Sequence, residues 1–153
     1  MAKGDGIGEL DMADFRAITA LWREADMWPH VGEDRAWLEA AVARNPGLFL
    51  VYREKGRVIG TGLGAWDGLR GWVYRLAVKK EYRGRGIGTR LLREVEKRLR
   101  TAGARQVNLM VYEKNHVALE YYLKRGYEQT TARVLRKRLS ARSRESRGGA
   151  AKC

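Results

Sequence analysis

Hydrophobic residues recur every three or four positions along three stretches of the chain, a spacing that predicts amphipathic helices. The first helix is expected from Asp11 to Ala25, with Asp11 as its N-cap, and the second from Glu33 to Arg44. The third, from Ile87 to Thr101, has the most regular pattern and should end at Gly103. Its apolar stripe consists of Ile87, Leu91, Leu92, Val95 and Leu99. Each helix should therefore bury one face against another layer.

Shorter apolar runs between turn residues predict β-strands. A hairpin of Leu48–Arg53 and Arg57–Trp66 should be followed by a strand from Gly71 to Val78. Further β-segments are predicted at Gln106–Tyr112 and at Tyr127–Leu139, the last being a single strand or a pair. A short helix between these two should be capped by Asn115 and closed by Gly126, so the order is α, α, β, β, β, α, β, α, β. This order predicts a single α/β domain on a mixed sheet, with a right-handed parallel crossover at its centre.

Glycines occupy every second position in part of the second hairpin strand, at Gly60, Gly62 and Gly64. Residues two apart on a strand face the same side of the sheet. One face of this strand therefore has no side chains, and we expect something bulky to pack or bind there.

A glycine-rich, basic turn, Arg83–Thr89, joins the third predicted strand to the third helix. Its bare backbone allows close approach of a ligand, and the start of the helix adds N–H groups and the positive end of the helix dipole. Arg83 and Arg85 add positive charge. These features indicate a phosphate or pyrophosphate site, although such a turn can also be a plain connector. The common nucleotide motifs do not fit, because Gly-Lys-Ser/Thr is absent and Thr89 replaces the third glycine of the dinucleotide fingerprint.

The composition fits a globular protein of one domain, with 153 residues, 44% hydrophobic and 32% charged. No apolar run approaches the ~20 residues of a membrane span, and Met1–Leu10 has no apolar signal core. The single cysteine, Cys153, excludes an internal disulfide framework and a cysteine metal cluster. No group of His, Asp and Glu has metal-ligand spacing. We therefore expect a cytoplasmic protein without a bound metal.

The formal charge of +13 is concentrated towards the C-terminus, where Arg136–Cys153 has seven Lys/Arg and a single Glu. The segment 140–153 is rich in Arg, Ser and Gly, and it is predicted to be a disordered tail that follows a domain of residues 1–139. Such a tail can increase solubility or attract nucleic acid or ribosomes weakly. It has no aromatic residue, so base stacking is not expected.

Two motifs, one at the turn and one at the predicted short helix, indicate a family. Leu76-Ala77-Val78 is followed by Arg83-x-x-Gly86-x-Gly88, and later by Asn115-x-x-Ala118-x-x-x-Tyr122-x-x-x-Gly126-Tyr127. The first motif resembles the Arg/Gln-x-x-Gly-x-Gly/Ala cofactor motif of the GNAT superfamily of N-acetyltransferases. The second resembles that family's Asn-x-x-Ala-x-x-x-Tyr-x-x-x-Gly-Phe block. The resemblance covers roughly residues 5–139, and it is strongest to small bacterial acetyltransferases of the YpeA-like kind.

The resemblance implies a mixed, mostly antiparallel sheet in which two central parallel strands, here Trp72–Val78 and Gln106–Tyr112, splay apart. Acetyl-CoA is the implied co-substrate. Its pyrophosphate would bind the main-chain amides of the turn, its pantetheine arm would pair with Leu76–Val78 like an added strand, and Asn115 would hydrogen-bond the arm. The implied cofactor-binding residues are Leu76, Ala77, Val78, Arg83, Gly84, Arg85, Gly86, Ile87, Gly88, Thr89, Asn115, Ala118 and Tyr122.

The implied reaction is direct attack of a neutral amine on the thioester within a ternary complex. A backbone N–H, that of Leu76, would stabilise the oxyanion, and Tyr122 would protonate the departing thiolate. By itself Tyr122 would fit a core aromatic residue, and Tyr121 takes its place if the helix is rotated by one position. The absence of an internal cysteine agrees with a reaction that has no covalent enzyme intermediate.

The general base is left open by the sequence. Ribosomal-protein N-terminal acetyltransferases carry a Glu five residues before the motif Asn, whereas this chain has Met110, which cannot accept a proton. Amino-terminal Ser, Thr or Ala substrates are therefore disfavoured by this route. The candidates for a base are Glu24, Asp67, Glu113 or an ordered chain of water molecules. His30 and His116 are isolated and more typical of surface positions.

The acceptor amine, on a small molecule or a protein, is also open, as is the formation of a homodimer. Four tryptophans could line an acceptor pocket or simply belong to the core. They are Trp22, Trp28, Trp66 and Trp72. Two other classes of function compete with the enzyme. One is a CoA or acyl-CoA sensor of the same fold that does not turn over, and the other is a basic nucleic-acid-binding protein.

Overall fold

A computed structural model describes residues 4–27 and 34–139 of the chain. The chain forms two compact units, residues 1–110 and residues 111–153, which are described separately below. The strands are β1 (Gly6–Glu9), β2 (Phe49–Glu54), β3 (Arg57–Trp66), β4 (Gly71–Val78) and β5 (Val107–Asn108). The α-helices are α1 (Phe15–Glu24), α2 (Arg35–Arg44), α3 (Ile87–Ala102) and α4 (His116–Leu123). Short 3₁₀ turns at Met12–Asp14 and Lys80–Tyr82 precede α1 and follow β4.

The first unit is built on one sheet with the strand order β1-β2-β3-β4-β5. The first four strands pair antiparallel with their neighbours, and β4 pairs with β5 in parallel. The predicted α/β fold, on a mixed and mostly antiparallel sheet with one parallel pair, is therefore confirmed.

The strand β1 was not predicted, so the expected order, which began with a helix, is wrong at its start. Gly6 and Gly8 interrupt the apolar positions of this segment, and its only strong signal is the alternation of Ile7 with glycine. Its register is fixed by β2, since Gly6 lies opposite Arg53 and Glu9 opposite Leu50. Pairing with another strand, rather than local propensity, makes this segment a strand.

Helix α3 covers the face of β3 that carries the alternating glycines. A methyl group at Gly64 would lie 2.9 Å from the Val95 side chain, and one at Gly60 would lie 3.0 Å from Leu91. The predicted bulky partner is therefore α3 itself. Its apolar stripe, which comprises Ile87, Leu91, Leu92, Val95 and Leu99, is buried as expected.

Helices α1 and α2 cover the opposite face of the sheet. Trp22 of α1 and Leu38 of α2 are completely buried, in one core cluster with Val51 and Leu63 of the sheet. The helix predicted from Asp11 begins with the 3₁₀ turn, and Asp11 caps it through a hydrogen bond from the Ala13 N–H.

A buried ion pair connects the start of the chain to β2. The guanidinium of Arg53 contacts the carboxylate of Asp14, and their side chains are only 4% and 14% exposed. Arg53 also donates to the carbonyl oxygen of Glu9 at 3.5 Å. This pair therefore fixes β1 and the turn before α1 against the sheet.

Two predicted strands are corrected by the structure. The strand expected at Gln106–Tyr112 is reduced to β5, because its ladder with β4 ends after the pair Trp72–Asn108. The described segment 127–139, predicted as Tyr127–Leu139, contains no strand. Val134 and Leu135 are adjacent there, so they would face opposite sides of a strand and could not form one apolar face.

The second unit contains α4, which follows the second sequence motif. Asn115 is its N-cap, as predicted, and accepts a hydrogen bond from the Ala118 N–H at 3.0 Å. The segment after the helix turns at Gly126, which has φ +88°. The predicted tail, residues 140–153, lies outside the described residues.

Candidate functional site

A β-bulge interrupts strand β4 next to the predicted cofactor residues. Leu63 pairs with Tyr74 and Thr61 with Ala77, so Arg75 and Leu76 together lie opposite the single residue Gly62. Arg75 has φ +51°, a conformation that is uncommon for a residue other than glycine. An extra residue on one strand breaks the regular ladder and redirects the backbone. The bulge thus removes Leu76 from the regular hydrogen bonding of the sheet.

A hydrogen-bonded relay from α1 holds the bulge. The indole N–H of Trp22 donates to the hydroxyl of Thr61 at 3.0 Å, and this hydroxyl donates to the carbonyl oxygen of Arg75 at 2.7 Å. Trp22 and Thr61 are fully buried, and the guanidinium carbon of Arg75 lies 5.1 Å from the centre of a Trp22 ring. The strained backbone at Arg75 is therefore fixed from the core rather than by the residues around it on β4.

The parallel strands β4 and β5 are paired only at Gly71–Val107 and Trp72–Asn108. Beyond these pairs, the rest of β4 has no ladder with β5. The bulge lies in this part of β4, so the backbone of Leu76, Ala77 and Val78 follows the point at which the pairing ends. This is the separation that the resemblance implied for the central strands.

The glycine-rich turn leads into the N-terminus of α3. Gly84 and Gly86 have φ +77° and +78°, which residues with side chains rarely adopt, and nothing lies within 4 Å of a methyl group placed on either. Backbone conformation, and not lack of space, thus requires glycine at both positions. Gly86 is the N-cap of α3 and has no side chain to accept hydrogen bonds from the first turn. The predicted anion site is therefore a helix N-terminus without a side-chain cap.

The two arginines of the turn have different surroundings. Arg83 donates from Nε to the carbonyl oxygen of Val78 at 3.0 Å. Arg85 forms a two-point ion pair with Glu54, at 2.6 and 3.3 Å, and lies over the ring of Tyr82. The hydrogen bond from Arg85 lowers the pKa of the Glu54 carboxyl below its usual value. The charge of Arg85 is therefore partly balanced, and the turn is less positive than its sequence indicates.

Tyr122 in α4 is surrounded by other tyrosines. Its ring contacts those of Tyr121 and Tyr127 edge to face, with centroid distances of 5.2 and 5.4 Å. Burial, followed by the neighbouring Tyr121, raises the pKa of Tyr122 to about 12. The phenol is therefore protonated at neutral pH and can donate a hydrogen bond.

Two of the acidic residues proposed as the general base accept hydrogen bonds from the backbone. Glu24 accepts a hydrogen bond from the Lys80 N–H at 3.0 Å, at the start of the 3₁₀ turn after β4. Asp67 accepts from the N–H groups of Leu69 and Arg70, both at 2.7 Å, and these bonds lower the pKa of its carboxyl. Both acids therefore stabilise turns, and the lowered pKa of Asp67 makes its carboxylate a weak proton acceptor.

The remaining candidates are at the surface or outside the described part of the chain. Glu113 and His116 are exposed, and His30 lies outside the described residues. Among the residues described, no group of three or more His, Cys, Asp and Glu could hold a metal ion. No helix in that same part of the chain is long and apolar enough to cross a membrane.

The β-bulge and the hydrogen bonds that hold it were not predicted from the sequence. Arg75 and Thr61 have no sequence signal, because a bulge is visible only when the register of two strands is known. The one hint was Trp22, whose indole N–H needs an acceptor once the residue is buried.

The fold and this site define an α/β protein with a glycine-rich turn at the start of a helix. The sequence profile of the acetyltransferase (GNAT) family matches residues 7–127. A protein of Pectobacterium atrosepticum named an acetyltransferase is 36% identical over 126 residues, which are 82% of this chain and 89% of that protein. One of Sodalis glossinidius, also named an acetyltransferase, is 37% identical over 127 residues, with the same shares of the two chains.

Solved structures agree in fold. The PaiA N-acetyltransferase of Thermoplasma acidophilum, in complex with coenzyme A, has a TM-score of 0.74 at 23% identity, covering 86% of this chain and 94% of that one. The ribosomal-protein-S18-alanine N-acetyltransferase of Escherichia coli has a TM-score of 0.67 at 18% identity, covering 82% and 78%. The chain belongs to the GNAT family. It is an enzyme that transfers the acetyl group of acetyl-CoA to an amine, as the motifs predicted.

Proposed function

We propose that the chain holds acetyl-CoA along β4 and the following turn, and transfers the acetyl group directly to an amine in a ternary complex. The observation that supports this most is the succession of a bulge, a stretch of β4 without a partner in β5 and a glycine turn at the start of α3. These features follow one another along 15 residues, from Arg75 to Thr89. They provide, in order, an N–H for the reacting carbonyl, a backbone for the arm and amides for the diphosphate.

The proposed cofactor contacts are mainly with the backbone. The amides of the turn, at Arg83, Gly84, Arg85, Gly86, Ile87, Gly88 and Thr89, would bind the pyrophosphate. The edge of β4 beyond its ladder with β5, at Leu76, Ala77 and Val78, would pair with the pantetheine amides like an added strand. Backbone recognition of this kind depends on conformation, which explains why two positive-φ glycines flank Arg85.

The N–H of Leu76 is the proposed oxyanion donor. It belongs to the bulge, where the regular ladder between β3 and β4 is broken. Attack by the amine forms the new C–N bond and places negative charge on the thioester oxygen, which a fixed N–H stabilises. Collapse of this intermediate breaks the C–S bond and releases CoA as a thiolate.

Tyr122 and Asn115 are the proposed contributions of the second sequence motif, with Ala118 in the same block. Tyr122 would donate its proton to the departing thiolate. Because its pKa is about 12 and that of an ordinary thiol is about 8.5, a hydrogen bond to the sulfur should develop before the proton moves. The Asn115 side-chain oxygen caps α4, so its amide nitrogen is the atom that would reach the pantetheine arm.

The amine must lose a proton during the reaction, and we propose that water receives it. Glu24 and Asp67 already accept backbone hydrogen bonds, and Met110 stands where related N-terminal acetyltransferases have a glutamate. Glu113, the third acidic candidate, is exposed. Rates should accordingly rise with pH as the amine itself deprotonates.

The second candidate is a CoA sensor of the same fold that binds without turnover. The protonated, enclosed Tyr122 favours the enzyme, since binding alone needs no proton donor near the sulfur. A domain of residues 1–139 with a basic tail at 140–153, a cytoplasmic location, weak attraction of the tail to nucleic acid and a homodimer all stay predictions.

The test compares two glycines with the same backbone conformation. Gly86→Ala and Gly68→Ala place a methyl group at φ +78° and +89°, in open space in both cases, so they should cost similar stability. Calorimetry should show that Gly86→Ala weakens acetyl-CoA binding about tenfold or more, while Gly68→Ala leaves it unchanged. CoA release with an amine panel then separates the enzyme from the sensor. Equal affinities in the two variants would refute the proposed diphosphate site, and tight binding without release from any amine would favour the sensor.

A further inference from the structure

A cavity of about 440 Å³ lies between the segment that follows α2 and the last two turns of α3, with the end of β3 also in its wall. The lining residues used below are Arg44, Asn45, Gly47, Trp66, Lys97 and Arg98. All of them belong to the first unit. This volume is within the range of small-ligand sites, towards its lower end, so the cavity suits one small molecule.

The cavity is remote from the proposed cofactor site. Helix α3 follows its N-cap Gly86, where the diphosphate is proposed to bind, whereas its residues in the cavity wall start at Lys97. At about 1.5 Å of rise per residue, the 11 steps from Gly86 to Lys97 span roughly 16 Å along the helix axis. A ligand here would therefore bind at a second site, and the inference does not rest on the proposed function.

Hydrogen bonds between the elements around the cavity hold its walls in place. The guanidinium of Arg98 on α3 donates from Nη1 to the carbonyl oxygen of Gly47 at 2.8 Å. The side-chain oxygen of Asn45 accepts a hydrogen bond from the backbone N–H of Trp66 at 3.0 Å. The segment after α2 is thus tied both to α3 and to β3, so the cavity is formed before any ligand binds.

Two of the three cations in the wall have no balancing acid. Arg98 is paired with Glu94 at 2.9 Å and with Glu9 at 3.5 Å. In contrast, Arg44 and Lys97 are exposed, and within residues 4–27 and 34–139 neither forms an ion pair with an acid. Among those same residues no Asp or Glu lines the cavity. The uncompensated charges of Arg44 and Lys97 therefore favour an anion.

The helix ends at the cavity oppose this charge only in part. Helices α2 and α3 both end here, and each C-terminus is equivalent to about half a negative charge. In α3 the carbonyl oxygens of Leu99 and Arg100 also accept hydrogen bonds from the N–H groups of Ala104 and Gly103. Two full positive charges outweigh two partial negative ones, so the field in the cavity remains positive.

Trp66 adds an aromatic surface to this positive wall. Its indole is half-buried, and its Cζ2 atom lies 3.7 Å from the position of a methyl group placed on Gly103, so the ring is packed against the end of α3. Aromatic side chains held in this way stack on planar nucleobases with little dependence on the base. An aromatic ring beside two free cations matches a ligand with a planar ring and an anionic group.

We infer that this cavity binds a free nucleotide, with its base on Trp66 and its phosphate between Arg44 and Lys97. A phosphate monoester carries close to two negative charges at neutral pH and has three acceptor oxygens. It therefore matches two cations better than a carboxylate, which has one charge. The limited volume of the cavity favours a single nucleotide over a strand of nucleic acid.

The experiment measures the binding of guanosine monophosphate to the full chain by calorimetry, with CoA in excess to occupy the proposed diphosphate site. Guanosine and ribose 5-phosphate are titrated in parallel, because the first lacks the phosphate and the second lacks the base. We expect guanosine monophosphate to bind about tenfold or more tightly than either fragment. Equal affinity for either fragment would overturn the inference, since one of the two contacts would then contribute nothing.

Paired variants locate the bound nucleotide. Arg44→Gln with Lys97→Gln should weaken its binding about tenfold or more, the effect of losing charge-assisted hydrogen bonds. The matched control, Arg16→Gln with Arg57→Gln, removes the same charge from exposed positions of α1 and β3 and should leave the affinity unchanged. Trp66→Leu should weaken binding of the nucleotide but not of ribose 5-phosphate, and Trp66→Phe, which keeps a ring, should retain most of the affinity. Thermal unfolding verifies that each variant is folded.

Three further outcomes would overturn the assignment. An equal loss in the two paired variants would mean that only the total charge of the protein matters. A loss of nucleotide affinity in Gly86→Ala would place the nucleotide at the glycine-rich turn instead. A trinucleotide that binds more than about tenfold tighter than guanosine monophosphate would assign the cavity to single-stranded nucleic acid. None of these titrations requires turnover, so a protein that acetylates no amine but binds the nucleotide through Arg44 and Lys97 would refute the proposed function alone.

Discussion

The substitution Thr61→Val tests whether the buried relay beneath β4 positions the catalytic backbone. Thr61 accepts from the Trp22 indole at 3.0 Å and donates to the Arg75 carbonyl at 2.7 Å, and it is completely buried. Valine has nearly the same shape but can make neither bond. The side chain therefore stays packed while the support of the bulge is lost.

The expected effects can be estimated for stability and for rate. Thr61→Val leaves the Trp22 indole N–H and the Arg75 carbonyl without this partner, at a cost of about 1–3 kcal/mol each, so the free energy of unfolding should fall by about 2–6 kcal/mol. Removal of an oxyanion donor costs about 10²–10³ in rate, and the N–H of Leu76 would be misdirected rather than removed. We therefore expect kcat to fall about 10–100-fold, with the KM for acetyl-CoA changed less than about threefold, because the turn at Arg83–Thr89 is untouched.

The assay is steady-state CoA release at a temperature well below the unfolding midpoint of the variant, with urea unfolding measured in parallel. Thr61→Ser is the matched control, since it keeps the hydroxyl and loses one methyl group, at a cost of about 1 kcal/mol in stability. It should retain most of kcat. Trp22→Phe keeps a ring but loses the indole N–H, and its kcat should lie between those of Thr61→Val and Thr61→Ser. Equal kcat values for the Val and Ser variants, or a Val variant that is less stable but fully active, would refute a positioning role for the relay.

Two further predictions concern the buried ion pair and the proposed acid. Asp14→Ala should lower the free energy of unfolding by about 3–4 kcal/mol in urea titrations, because it leaves the 4%-exposed guanidinium of Arg53 without its carboxylate, and activity per folded molecule should be unchanged. If the loss is below about 1 kcal/mol, the pair contributes little. Tyr122→Phe should lower kcat about 10–100-fold, and the wild-type rate should show no loss from tyrosine ionisation below pH 10, because a pKa of about 12 keeps the phenol protonated there. The raised pKa also predicts that the tyrosine's contribution to stability declines only as the pH rises above about 10, towards 12, and a decline in rate near pH 8–9 that the Phe variant lacks would contradict this assignment.

The parts of the fold that could be predicted from the sequence are those decided by local periodicity and by glycine. Helix α3 agrees with its prediction to one residue at its C-terminal end, and the hairpin of β2 and β3 is correct, because their patterns extend over many residues. The glycine stripe of β3 predicted a close partner, which is α3. Strand β1 and the limits of β5 could not be predicted, since each is a strand only through the neighbour with which it pairs.

In the candidate site, too, the features that depend on adjacent residues could be predicted and those that depend on tertiary contacts could not. The turn at Arg83–Thr89 and the N-cap of α4 could be predicted because glycine conformation and N-capping depend on a few adjacent residues. Arg75 could not, because it has no property in the sequence that distinguishes it from the other arginines of a chain with a charge of +13. Its role depends on φ +51°, on the hydroxyl of Thr61 and on a tryptophan 53 positions earlier, all of which are determined by tertiary contacts.

The bulge at Arg75 connects the core of the first unit to the proposed oxyanion donor. Its carbonyl oxygen accepts a hydrogen bond from Thr61, which fixes the direction of the next N–H, while its guanidinium lies over the ring of Trp22. One strained residue thus orients the proposed oxyanion donor through its backbone. Strain of this kind, about 1–3 kcal/mol, persists only where the surroundings over-determine the conformation, and here two fully buried residues do so. Substitutions that remove the Thr61 hydroxyl should therefore slow the reaction of every amine to a similar extent.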